Sequence, residues 1–118
     1  MKINVKATNL DLTPSLNIYI EKKLMPLAKF IKSFDVMGEV EIWVEVARTT
    51  KHHHKGQVFR AEADLRLPGR ILRAEEELPD LRVAIDAVKD KIRLEIEKYK
   101  TWALKKGRRD APKSHAQK

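Results

Sequence analysis

From Leu81 onward the residues Leu81, Ile85, Val88, Ile92, Ile96, Tyr99 and Ala103 follow one another at steps of three and four. That spacing keeps them on one side of an α-helix for about six turns. Pro79-Asp80 supplies a start signal and Gly107 a stop. So long a single apolar stripe commits the chain to a surface on which the helix can lie, and the segments before it read as the strands that build one.

Ile3, Val5 and Ala7 alternate with Lys2, Asn4 and Lys6, the pattern of a strand with one buried face. Val40, Ile42, Val44 and Val46 alternate with Glu39, Glu41, Trp43 and Glu45, which gives a second strand with an acidic outer face. Phe59, Ala61, Ala63, Leu65 and Leu67 alternate with Arg60, Glu62, Asp64 and Arg66 as a third. Pro68-Gly69 turns the chain into a fourth, from Arg70 to about Glu75, with Leu72 and Ala74 on one side. Between the first two strands, Thr13-Pro14 is an N-cap followed by a proline at the first helical position. Leu16, Ile20, Leu24, Leu27 and Ile31 then recur at helical spacing. Pro26 falls inside that pattern, where it removes a backbone donor and crowds the preceding turn, so a kink or break is expected near Lys22 to Met25. The order β-α-β-β-β-α defines an α+β fold: a four-stranded, antiparallel-rich sheet with two helices packed on one face. If the first two strands pair in parallel, their connection is a right-handed crossover.

At 118 residues the chain is expected to form one domain, residues 1–106, followed by a basic flexible tail, 107–118, too poor in apolar residues to fold. The absence of Cys excludes disulfides, thiolate metal sites and thiol nucleophiles, and fits a reducing, cytoplasmic setting. The start of the chain lacks a signal-peptide pattern, and no apolar run approaches the ~20 residues that span a bilayer, so a soluble protein without a membrane partner is expected. A net charge of +8 points to a polyanion, but eight basic residues and one acidic residue lie from Lys98 onward, which leaves 17 basic and 16 acidic residues in the rest. A nearly neutral globular part can bind RNA only if its charges are sorted onto faces.

Projection of the last helix at about 100° per residue sorts its cations into two ridges. Arg82, Lys89, Arg93 and Lys100 share one flank of the apolar stripe, interleaved with Asp86, Asp90 and Glu97; this favours a solvated face laced with weak ion pairs. Lys91, Lys98 and Lys105 share the opposite flank, with fewer acidic neighbours along the helix and a direct run into the basic tail, and this ridge is favoured for phosphate binding. On the first helix, Lys22 and Lys29 share a flank, with Lys23 and Lys32 nearby, and extend a basic surface if the helices pack side by side. Such a pair suits structured RNA, whose deep major groove leaves shape and backbone to be read.

Other chemistries find little support. The seven aromatic residues do not cluster into a stacking platform on one strand, and Trp43 and Trp102 are expected to be packing residues, although Trp43 falls on the outward phase of its strand. His52, His53 and His54 are consecutive, which splays their side chains, so a solvated loop outweighs a metal site. Glu75, Glu76, Glu77 and Asp80 read as a solvated turn. With four His, three Ser and four Gly, no local catalytic triad or glycine-rich phosphate loop can be assembled. An enzyme is therefore not expected, nor a cofactor, a metal or a small-molecule substrate.

Thr13-Pro14-Ser15-Leu16 leading to Glu21-Lys22-Lys23-Leu24, then Leu72-Arg73-Ala74-Glu75-Glu76, Pro79-Asp80-Leu81, Ala84-Ile85-Asp86, Asp90-Lys91-Ile92 and Lys98-Tyr99-Lys100-Thr101 stand in an order and spacing that resemble the ribosome hibernation promoting factor and ribosome-associated inhibitor family, also called sigma-54 modulation protein-like. The resemblance runs from Met1 to about Lys105. It implies a fold similar to double-stranded RNA-binding domains, seated on the small ribosomal subunit at the mRNA and tRNA channel through rRNA phosphate contacts, and inhibition of translation in idle or stressed cells. It also implies rRNA-binding positions at Lys91, Lys98 and Lys100 and at Lys23 and Lys29, to which charge adds Lys22 and Lys105. Leu94 stands where the family has an arginine, Arg82 where an aromatic is common and Pro26 where a basic residue is frequent. The chain stops before the C-terminal dimerisation domain of the long forms and so resembles a short form. The alternative reading is a protein-interaction module that modulates a transcription factor through the acidic strand face and the Arg82 ridge.

Overall fold

The computed structural model describes residues 1–49 and 56–110; the His52 to His54 run and residues 111–118 of the tail lie outside them. Four strands, β1 (Lys2–Thr8), β2 (Glu41–Thr49), β3 (Val58–Leu67) and β4 (Arg70–Leu78), form one sheet in the order β1-β2-β3-β4. β1 runs parallel to β2, and β2-β3 and β3-β4 are antiparallel. The parallel pair meets the condition for the expected crossover, and the crossing element is α1 (Pro14–Leu24). The second helix, α2 (Leu81–Asp110), lies across β3 and β4.

Both helix starts follow from their sequences. The Thr13 hydroxyl accepts from the Leu16 amide at 3.1 Å ahead of Pro14, and the Asp80 carboxylate accepts from the Arg82 and Val83 amides at 2.9 and 3.3 Å. These are donors that a helix cannot satisfy internally. Pro26 acts as its chemistry requires. α1 stops at Leu24, and the chain continues as a 3-10 turn, Met25–Phe30, and a second, Lys32–Phe34. The first tighter turn still buries Leu27, and Leu24 and Ile31 on either side of it are buried as well.

Gly107 does not stop α2, which continues to Asp110. One glycine costs about 1 kcal/mol in a helix, an amount that the good helix formers Lys105, Lys106, Arg108 and Arg109 around it can absorb.

A single core joins both helices to one face of the sheet. Ile42, Val44 and Val46 of β2, Ala61, Ala63 and Leu65 of β3 and Leu72 of β4 meet Ile20 and Leu24 of α1 and Ile85, Ile92 and Ile96 of α2. Each large aliphatic side chain buried this way contributes roughly 1.5–3 kcal/mol. Among the described residues nothing covers the other face of the sheet, and Trp43 stands on it, 43% exposed, under the Arg66 guanidinium 5.0 Å from its ring centroid. Trp102 does pack: it lies against the core with Tyr99 and Arg70 on its ring.

Candidate nucleic-acid interface

The charges are sorted by layer. The helical segments Pro14–Phe34 and Leu81–Lys106 hold twelve basic residues against five acidic ones, whereas the four strands hold seven of each. The helices form the outer surface on one side of the sheet, so that side is strongly positive and the sheet close to neutral, the condition that RNA binding by this chain requires.

Within the positive layer, α1 and α2 lie side by side, pinned at one end by a polar cluster. The Tyr19 hydroxyl donates to Asp86 at 2.7 Å, Lys23 approaches the same carboxylate at 3.7 Å, and Arg82 donates to the Ser15 hydroxyl at 3.2 Å while its guanidinium lies 4.6 Å from the centroid of the Tyr19 ring. Burial and the hydrogen bond to Asp86 push the Tyr19 pKa up to about 12, so it remains a donor throughout the physiological range. Further along the seam, Phe30 of the first 3-10 turn is surrounded by Lys29, Arg93 and Lys100, whose charged atoms lie 5.1, 4.9 and 5.7 Å from its centroid. Cations held over aromatic faces keep their charge and lose freedom of movement. The seam therefore presents Lys23, Arg82, Lys29, Arg93 and Lys100 as one row, ordered before any ligand arrives.

The opposite flank of α2 is built differently. Lys91 donates to the Glu75 carbonyl at 3.0 Å and pairs with the Glu76 carboxylate at 3.0 Å, and Lys98 pairs with Glu95 at 3.1 Å. Lys105 lies two turns further on, exposed and without an ion pair among the described residues. Of the positions expected from sequence, the structure thus brings Lys23, Lys29 and Lys100 together and sets Lys91, Lys98 and Lys105 apart on the far side of α2. Lys22 is exposed, with no ring or ion-pair contact among the described residues.

Sequence reasoning assigned ion pairs to the wrong ridge. Arg82 and Arg93 stack on rings, and Lys91 and Lys98 are α2 cations that pair with carboxylates among the described residues, while Asp86 of the seam flank pairs with Lys23 from α1. It also missed Tyr19 and Phe30 as the supports of the row. The Tyr19 to Lys23 spacing of four was a legible signal; the meeting of Phe30 with Arg93 and Lys100 needed the packing of α1 on α2.

These elements define an α+β domain whose sheet carries a pair of cation-bearing helices on one face. The same architecture occurs in the N-terminal domain of Thermus thermophilus Protein Y, a crystal structure 28% identical in sequence that superposes with a TM-score of 0.62 over 84% of this chain and 99% of that one. Residues 3–102 match the family described as Sigma 54 modulation protein / S30EA ribosomal protein, and the chain belongs to that family. Among relatives, a ribosome hibernation promotion factor of Picosynechococcus is 33% identical over 101 residues, 85% of this chain and 49% of that protein. A ribosome hibernation promoting factor of Klebsiella oxytoca is 28% identical over 100 residues, 85% of this chain and 94% of that protein. The chain therefore spans about half the length of the first relative and nearly all of the second.

Proposed function

We propose that this chain binds the small ribosomal subunit and holds it out of translation in idle or stressed cells, with the helix layer against rRNA phosphates in the mRNA and tRNA channel. The observation that carries this reading is the row of five cations along the α1–α2 seam, held over the Tyr19 and Phe30 rings on an otherwise near-neutral fold. Family membership and the names of the relatives direct the polyanion reading toward the ribosome. Inhibition is steric: a domain filling the channel excludes messenger and transfer RNA without any chemical step.

Co-sedimentation with purified small subunits over a salt series tests the binding. Affinity falls by orders of magnitude between low and moderate salt if several phosphates are neutralised, and a flat response rejects the phosphate mechanism. Competition with messenger RNA and initiator transfer RNA tests the location, since a channel-bound domain is displaced by them. If the chain instead acts as a protein-interaction module, reversal of Lys29, Arg93 and Lys100 leaves ribosome association unchanged.

A further inference from the structure

β4 is an edge strand, with β3 on one side and no strand on the other among the described residues. The turn at Pro68-Gly69 pairs Leu67 with Arg70, and hydrogen-bonded pairs alternate with open ones from there. The amides and carbonyls of Ile71, Arg73, Glu75 and Glu77 are therefore directed away from β3, in agreement with the Lys91 amine on the Glu75 carbonyl. Beside this edge α2 presents Leu94, 61% exposed, across a groove of about 520 Å³ whose other wall is Arg73, Ala74 and Glu75.

We propose that this edge joins two copies of the chain, paired antiparallel through β4 about a two-fold axis at Ala74. The strand itself selects the occupant and the register. Only pairings that set odd-numbered residues opposite odd-numbered ones allow the outward groups to bond to each other. Centred on Arg73 or on Glu75, such a pairing puts that residue against its own copy, and like charges directly opposite are repulsive. Centred on Ala74, it puts Arg73 against the partner's Glu75 and Glu75 against the partner's Arg73. Arg73 then lies between its own Asp64, 3.7 Å away, and the partner's Glu75, whose carboxylate already holds Arg60 of its own chain at 2.6 Å and has to be shared between the two cations. A two-fold interface requires this kind of self-complementarity.

The helix layer fits the same arrangement. α2 packs over β3 and β4, so two copies joined at ordinary strand spacing bring their α2 helices to roughly 10 Å, the usual distance for packed helices. Leu94 of each copy enters the resulting seam. Lys91 has to release the Glu75 carbonyl, which makes it a guard on the edge and keeps the association concentration-dependent. The pairing brings Lys91 and Lys98 of both copies into the seam, where Glu76 and Glu95 have to neutralise them, and leaves the row on the α1–α2 seam open.

Sedimentation equilibrium of the full chain from micromolar to millimolar concentration tests the proposal without the ribosome, and so independently of the proposed function. The expected result is a monomer–dimer equilibrium. Arg73→Glu and Glu75→Arg each weaken it at least about tenfold, because two opposite-charge pairs become like-charge pairs. An equimolar mixture of the two variants restores a dimer of one copy of each, since both of its cross-axis pairs are again opposite in charge. The chain has no Cys, so Ala74→Cys supplies a single thiol that mild oxidation links across the axis, whereas Ile18→Cys, exposed on α1, links slowly. A chain that stays monomeric throughout, a dimer indifferent to the charge variants, or linkage at position 74 no faster than at 18 overturns the proposal.

Discussion

At the scale of single residues, two positions carry more constraint than their type suggests. Gly69 has φ +82°, and a Cβ placed on it would lie 3.0 Å from the Trp102 ring. Gly38 has φ +69° with nothing within 4 Å. The left-handed conformation alone costs an L-residue roughly 1–2 kcal/mol. Gly38→Ala should therefore lose about that much in urea unfolding, and Gly69→Ala measurably more; equal losses would mean that Trp102 yields without strain. Asp35 is the second position. Its carboxylate pairs with the Met1 ammonium at 2.6 Å and accepts from the Val40 amide at 3.0 Å, and these hydrogen bonds hold its pKa below the ordinary 3.8. A carboxyl with a depressed pKa in the folded state stabilises the fold above its unfolded value, and that contribution disappears as pH falls through the folded one. Asp35→Asn should consequently lower stability at pH 7 and narrow the gap to wild type in acid, measured as unfolding midpoints from pH 7 down to about pH 2.

Among the elements, caps and breakers acted locally and so could be read from the sequence. Asp80 caps α2 with two hydrogen bonds, and Asp80→Ala should cost about 1 kcal/mol while Asp80→Asn retains most of it, read from thermal or urea unfolding. The periodicity of β2, β3 and α2, the Thr13-Pro14 start and the break at Pro26 were legible for the same reason: each depends on residues within one turn or one strand repeat. The two misreadings have different causes. Neighbours along α2 alone leave Lys91 short of acidic partners, whereas Glu76 and the Glu75 carbonyl come from β4, at the other side of a packing contact. Gly107 carried a stop signal, but whether a helix ends at a glycine also depends on the residues on either side, and here they are four helix-forming cations. The pairing of Lys98 with Glu95, three residues apart in α2, was thus legible along the element, whereas the Lys91 contacts, made to another element, were not.

For the whole molecule, the arrangement of charge outweighs its amount. Both flanks of α2 are basic, and both contain positions implied by family resemblance, yet they differ in what must be given up on binding. On the seam flank, Lys29, Arg93 and Lys100 rest on Phe30, and a phosphate can approach the outer side of each cation while the ring stays in place. On the edge flank, Lys91 and Lys98 have to exchange Glu76 and Glu95 for phosphate, so part of each new interaction replaces an old one. Triple reversal of Lys29, Arg93 and Lys100 to Glu should therefore weaken binding to small subunits more per residue than reversal of Lys91 and Lys98. It should also flatten the dependence of log affinity on log salt by about one for each lost phosphate contact, or about three in all. Reversal on the edge flank should change the affinity with a smaller change of slope, because the freed Glu76 and Glu95 add repulsion while few counterions are involved. The opposite ranking would identify the edge flank as the main RNA surface. It would then also set RNA binding in direct competition with pairing through β4, a competition visible as ribosome occupancy that rises less steeply than single-site binding predicts once the chain concentration enters the range where dimers form.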